Sequence, residues 1–206
     1  SDPNWQTSSI WTSGREHIDP TIRLSQKAPL PESDETIACI EQRAREIQGW
    51  RPNVWIEKLW AQKYGKGGHY MYHYDFSAPT PTSGRVSTFM VYVEANCTGG
   101  GTNFPRIERP MGREWCRFVE CPGESEGEGN EDGDGGVEEL TDGAGGKVEG
   151  VVFKAIAGNA VFWENIRGDG TAWPETWHAG LPVKEGTKIG LNVWSWWQEG
   201  YMPSEE

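Results

Sequence analysis

His73-Tyr74-Asp75 sets an imidazole and a carboxylate two positions apart, and His178 stands far downstream at the head of HAGLPVKEGTK (178–188). Two histidines and one carboxylate on one side of a metal form the facial triad that holds Fe(II) and leaves three coordination positions open. Ten residues after His178 comes Lys188. A lysine on a neighbouring strand can hold the far carboxylate of 2-oxoglutarate by charge. Together these four residues predict oxygenase chemistry rather than a structural metal site.

The positions of the triad depend on strand geometry. On an alternating strand His73 and Asp75 share a face. An H-x-D pair alone is weak evidence, since an exposed polar strand carries it by chance. Three observations strengthen it. The flanking residues are aromatic, only four histidines occur in the chain, and His178 is followed by the small pair Ala179-Gly180, which leaves room for a cofactor. His69 is the competing ligand. It shares the face of His73 but lies ~13 Å along the strand, so it is expected to be a supporting or exposed residue.

The elements that must carry these residues follow from periodicity. Ile37, Ile40, Ala44 and Ile47 recur at helical spacing behind Ser33 as N-cap and Asp34-Glu35 in the first turn, with Gly49 as the stop, so a helix is predicted over 34–48. After it the period changes to two. Strands are predicted over 55–61, 69–75, 86–94, 151–155, 160–163, 176–179 and 188–197, separated by glycine-rich turns at 65–68, 77–84, 99–101 and 168–170. Many short strands after one helix predict a mainly β fold with a double-stranded β-helix, or jelly-roll, core and a helical support. Residues 1–50 form an N-terminal extension and the support helix, with Trp5 and Trp11 as candidate docking anchors.

Length suits one domain over 1–206 with an ample core. The net charge is −12, and residues 122–150, with ten acidic residues against one lysine, supply −9 of it. An acidic chain is a poor partner for nucleic acid, so no nucleic-acid partner is expected. That glycine-rich stretch is read as a mobile solvated loop, since it cannot bury enough apolar surface to offset its chain entropy. No apolar run of membrane-spanning length is present in the sequence. The chain opens at Ser1-Asp2-Pro3 with no secretory signal, as expected of a chain from which a leader or anchor has been trimmed. Cys116 and Cys121 are spaced for a local disulfide, with buried free thiols as the alternative; Cys39 falls on the predicted helix and Cys97 in a predicted loop.

The motifs in order resemble a known family. They are Tyr64 nine residues before His73, H-Y-D at 73–75, Arg85 with Thr88, GGGTNFP at 99–105, AGNAVFW at 157–163 and HAGLPVKEGTK at 178–188. The stretch 64–197 is similar to the catalytic domain of prolyl 4-hydroxylases, within the Fe(II) and 2-oxoglutarate dependent dioxygenases. The resemblance implies that His73, Asp75 and His178 bind iron and that Lys188 pairs with the distal carboxylate of 2-oxoglutarate. It further implies that Tyr64 and Thr102 donate hydroxyl hydrogen bonds to that same end, with O2 as cosubstrate and ascorbate as reductant. Tyr70 and Arg85 would stand on the substrate side, against a proline-containing peptide or protein, with a solvated strand-start arginine as the alternative for Arg85; Trp196 is read as part of an apolar, stacking wall there from its indole-rich surroundings, not from the resemblance. The loop 77–84 has the composition of a lid over that peptide. With the cysteine usage, the resemblance favours the endoplasmic reticulum lumen or secretory pathway. The sequence also departs from the family, with His69 in place of a glutamine and the indole-rich Trp194-Ser195-Trp196-Trp197 where a polar or basic residue is common. Those departures bear on substrate. Another side chain or a small molecule remains the alternative target, and a peptide-binding jelly roll without turnover is the reading from another class.

Overall fold

The computed structural model describes residues 4–12, 14–48, 52–76, 82–121 and 147–201. Most of the expected lid (77–81), most of the acidic insertion (122–146) and the Gly49 helix stop lie outside those residues. Among the described residues the elements run β1 (Gln6–Thr7), β2 (Ile10–Thr12), β3 (Arg15–His17), β4 (Arg23–Leu24), β5 (Gln26–Pro29), α1 (Glu35–Gln48), β6 (Trp55–Ile56) and β7 (Trp60–Tyr64). They continue β8 (His69–His73), β9 (Ser83–Gly99), β10 (Thr102–Phe104), β11 (Val151–Phe153), β12 (Ala160–Glu164), β13 (His178–Gly180) and β14 (Val183–Gln198).

A larger sheet orders β1-β5-β7-β14-β9-β12, with β6 also on β14, and a smaller one orders β11-β10-β13-β8-β4. All the pairings are antiparallel. Side chains bridge the two sheets: Thr88 of β9 reaches Asp75, Tyr92 of β9 reaches Thr102, and Lys188 of β14 reaches Gly100. The two sheets therefore face each other as a jelly roll, and the candidate site lies between them.

Helix α1 supports the outer face of the larger sheet. Ile37 and Ala44 pack with Ile56, Leu59, Leu191 and Val193 in one buried cluster. Its cap is Asp34, not Ser33: the Asp34 carboxylate accepts the Thr36 N–H at 2.8 Å, which satisfies one of the free amides of the first turn. Ile47 was expected on the buried stripe but is 63% exposed, and Gln48 is buried instead. At about 100° per residue, position 48 falls about 20° from Ile37 around the helix, whereas 47 falls about 80° away.

The strands differ from expectation mainly at their ends. The predicted strand 55–61 breaks into β6 and β7, with Leu59 buried under α1. The strand 69–75 stops at His73, so Asp75 lies in the bend that follows. The last two long strands extend to 83–99 and 183–198, and Cys97 lies on β9 rather than in a loop. The polar N-terminal segment adds short strands to both sheets through backbone pairing, a role that hydrophobic alternation does not report. Trp11 does not dock. It is 70% exposed on the β2–β3 hairpin, because Ile10 beside it takes the inward position. Trp5 is half-buried, with the Lys63 ammonium 5.8 Å from its ring. Cys116 and Cys121 form a disulfide, and Cys39 and Cys97 are free. No helix among the described residues is long and apolar enough to cross a membrane.

Candidate active site

The ends of β8 and β13 bring the three candidate ligands together. His73 and His178 are directly paired across the two strands, and Asp75 follows two residues after His73. Candidate ligand atoms of His73, Asp75 and His178 all lie within 4.8 Å of one another. Asp75 Oδ1 is 3.5 Å from His73 Nε2 and 3.8 Å from His178 Nε2. Each imidazole is held by a carbonyl two residues upstream: His73 Nδ1 contacts Met71 O at 2.8 Å, and His178 Nδ1 contacts Thr176 O at 2.8 Å. A carbonyl can only accept, so each Nδ1 carries the proton and each Nε2 lone pair is free for a metal.

The electrostatics fit a cation. Burial alone would raise the Asp75 carboxyl, but His178, His73 and Arg85 outweigh it and hold the group well below the usual carboxylate range. Burial, and then the neighbouring His73, push His178 down to about 4 against the pull of Asp75. His178 thus stays neutral beside an ionised carboxylate, which is the protonation state a metal requires. The donor set of two imidazoles and one carboxylate is the set that suits Fe(II) with open positions.

A cation pocket lies deeper between the sheets. Lys188 is 1% exposed, and its ammonium donates to Gly100 O at 2.5 Å. It sits 4.7 Å from the Tyr64 ring and 5.8 Å from the Tyr92 ring. No carboxylate pairs with it among the described residues, and burial pushes it down to about 8. A buried cation without a counter-charge is costly unless an anionic ligand completes it. The glycine run shapes this wall: Gly99 and Gly100 have φ of 67° and 71°. A Cβ on Gly99 would meet Pro182 O at 2.7 Å, and one on Gly101 would meet Phe153 O at 2.7 Å. Tyr64 and Thr102 are both buried here. Tyr64 donates to Gln62 at 3.0 Å, and the Thr102 hydroxyl lies 2.7 Å from the Tyr92 hydroxyl.

The residues expected on the substrate side have separate contacts and do not form one cluster. Tyr70 stacks on His73 with ring centroids 3.7 Å apart, and Arg23 of the N-terminal strand β4 lies 4.6 Å from the Tyr70 ring. Arg85 is already engaged. Its Nε and Nη2 donate to the Glu57 carboxylate at 2.6 and 2.8 Å, its Nη1 donates to the Asp75 carbonyl at 2.8 Å, and it lies 3.8 Å from the Trp194 ring centre. Trp196 is half-buried beside Trp55, at 6.2 Å between ring centres. His69 takes no place in the cluster; its nitrogens contact Gly67 O and Thr21 O at 2.9 and 3.2 Å.

A profile of the 2OG-Fe(II) oxygenase superfamily matches residues 59–196, which contain every candidate ligand and Lys188. The chain belongs to this superfamily. Fe(II) and 2-oxoglutarate are the metal and cosubstrate of 2OG-Fe(II) oxygenases, and the donor set and the buried lysine fit both. Human prolyl 4-hydroxylase subunit alpha-3 is 26% identical over 92% of this chain and 29% of its own length. The alpha-2 subunit from Gallus gallus is 27% identical over 84% of this chain and 26% of its own. The chain therefore spans less than a third of the curated relatives it matches. In fold it is similar to the viral collagen prolyl hydroxylase from Paramecium bursaria Chlorella virus-1 in its 2OG complex, with TM-score 0.55, 24% identity, and 86% of this chain and 81% of that one covered.

Sequence reasoning missed several residues that face this oxygenase site: Tyr92, Phe104, Trp163 and Asn165. Tyr92 could have been found, since it lies four positions after Thr88 on one strand and so on the same face. Phe104 and Trp163 stood inside the motifs GGGTNFP and AGNAVFW with no role assigned to them; their rings lie 5.4 and 4.8 Å from the His178 ring.

Proposed function

We propose that this chain, acting as one catalytic domain over 1–206, hydroxylates a prolyl residue in an extended peptide or protein, at the 4-position of the ring. His73, Asp75 and His178 hold the iron, and Lys188 pairs with the distal carboxylate of 2-oxoglutarate. The observation that carries the chemistry is a two-histidine, one-carboxylate cluster, with Asp75 and His178 buried and His73 half-buried, between the same two sheets as a buried lysine that lacks a carboxylate partner among the described residues. Similarity to prolyl 4-hydroxylase alpha subunits along most of the chain supports the choice of substrate.

When bound, the iron supplies O2 activation, coupled to the oxidative decarboxylation of 2-oxoglutarate to succinate and CO2. The protein's own groups bind and orient. The Lys188 ammonium and the hydroxyls of Tyr64 and Thr102 receive the far carboxylate and replace its lost hydration. The aromatic rings that surround His178 exclude water from the reacting side. Tyr70, Arg85 and Trp196 stand at the peptide side, where a proline ring packs on an aromatic face and an extended polyproline segment lies along it. Ascorbate serves as the reductant that keeps the metal ferrous. The Cys116–Cys121 disulfide suits an oxidising compartment such as the endoplasmic reticulum lumen.

Succinate formation with Fe(II), ascorbate and 2-oxoglutarate, with and without proline-rich peptides, tests this reading. Peptide-stimulated succinate with a one-oxygen mass gain on proline is the expected result. Succinate that no proline peptide stimulates would keep the oxygenase and overturn the prolyl substrate.

A further inference from the structure

Behind Asp75 runs a chain of buried hydrogen bonds that no part of the catalytic reading uses. Trp163 Nε1 donates to Asn165 Oδ1 at 2.9 Å, Asn165 Nδ2 donates to Thr88 Oγ1 at 2.9 Å, and Thr88 Oγ1 donates to Asp75 Oδ2 at 2.8 Å. Thr88 and Asn165 are 0% exposed and Trp163 is 8% exposed. Its direction is fixed by chemistry at both ends. An indole N–H only donates, and an ionised carboxylate only accepts. Asn165 must therefore turn its oxygen to Trp163 and its amide to Thr88, and the Thr88 proton has one place left to go.

The consequence falls on the two oxygens of Asp75. Oδ1 is the one near His73 Nε2 and His178 Nε2, at 3.5 and 3.8 Å. Oδ2 is held away by Thr88. The Trp163 ring, meanwhile, packs on His178 with centroids 4.8 Å apart. One residue thus contacts one candidate ligand directly and orients a second through two intermediaries on β9 and after β12.

Resting on the reading of His73, Asp75 and His178 as the metal site, we propose that Trp163, Asn165 and Thr88 are positioning residues that hold Asp75 as a one-oxygen ligand. Keeping Oδ2 off the metal prevents a two-oxygen grip that would occupy a position needed by the cosubstrate or O2. Three positions stay open because this relay is intact.

The test uses Co(II) as a spectroscopic stand-in, bound to Asp75→Ala, Thr88→Val, Thr88→Ser and Trp163→Phe chains whose metal-free melting is measured in parallel. Thr88→Val keeps the branched shape and removes the hydroxyl. It is expected to release Oδ2 toward the metal and so change the Co(II) d–d spectrum in the sense of a higher coordination number, with Co(II) affinity shifting by up to about 10- to 100-fold, the usual scale of an outer-shell change. Thr88→Ser is expected to restore both. Trp163→Phe keeps a ring against His178 and removes only the first donor, so it is expected to shift the spectrum in the same sense by less; it carries the test if Thr88→Val fails to fold. Folded Thr88→Val and Trp163→Phe chains with wild-type affinity and spectrum would overturn the relay, provided Asp75→Ala loses the metal. Co(II) retained by Asp75→Ala would overturn the metal reading itself.

Discussion

Replacing Lys188 by methionine should make the ligand-free protein more stable while destroying cosubstrate binding. The lysine is 1% exposed, donates one hydrogen bond, to Gly100 O, and has no carboxylate partner among the described residues. In the unfolded chain its ammonium keeps its proton up to about 10.5, and in the fold only to about 8. At ~1.36 kcal/mol per pH unit that difference costs the fold about 3 kcal/mol whenever the group is protonated in both states. Methionine is of similar length, carries no charge and fills irregular space. The Gly100 carbonyl loses its donor, which returns about 1 kcal/mol. A net gain of ~2 kcal/mol at pH 7 remains, or a Tm rise of ~4–8 °C for a chain of this size. The pH dependence has a defined sign. Between about 8 and 10.5 the unfolded chain binds the proton and the folded one does not, so wild-type stability rises with pH across that window, and the advantage of Lys188→Met vanishes above it. Urea titrations of the metal-free, ligand-free proteins at pH 7 and pH 10 measure both effects. Addition of 2-oxoglutarate to the metal-bound proteins should further stabilise the wild type by mass action and do so far less for Lys188→Met. A variant less stable than wild type at pH 7 would show that the lysine already has its counter-charge, and the argument for an anionic ligand there would fail.

Asp75→Ala should abolish metal binding and turnover, checked by metal titration and succinate release; retained activity would refute the triad. With metal bound, 2-oxoglutarate affinity should fall about tenfold per pH unit above about 8, where the empty Lys188 loses its proton, and a flat calorimetric profile from pH 7 to 10 would contradict that pairing. Trp196→Ala should raise the KM for a proline-rich peptide several-fold with metal affinity unchanged, and an unaltered peptide KM would remove Trp196 from the substrate wall. Leu191→Ala, at a position 3% exposed between α1 and the larger sheet, should cost about 2–5 kcal/mol in urea unfolding.

How much of this was legible in the sequence depends on whether a feature is local or paired. The candidate ligands and Lys188 were singled out by residue type and spacing, and alternation placed His73 and Asp75 together; the fold does bring His73, Asp75 and His178 into one cluster. The backbone delivers that proximity by another route, for Asp75 lies beyond the strand end and not on its face. Tyr70 shows the limit more sharply. It is three residues from His73, so a regular strand would put the two rings on opposite faces. They stack at 3.7 Å because the pairing of β8 with β13 shifts register between His178 and Gly180. A bulge is a property of two strands together, and one strand's pattern does not contain it.

The same distinction explains Arg85. From the sequence it was a cation beside a peptide site. In the fold Glu57, 28 residues earlier on the segment between β6 and β7, holds two of its donors, and the Asp75 carbonyl accepts from a third. The register shift of β14 against β9 between Ser195 and Trp196 brings Arg85 opposite Trp196 and beside Trp194. A guanidinium fixed on three sides contributes less as a mobile grip on substrate than as a rigid wall that also holds the backbone of a candidate metal ligand. The indoles at 194–197 then make physical sense around it: Trp194 supports Arg85 from one face, and Trp196, paired with Arg85 across the strands, lies beside Trp55. On this account the departures near the end of the last strand alter the wall beside Arg85 and leave the candidate iron ligands and the lysine pocket as they were.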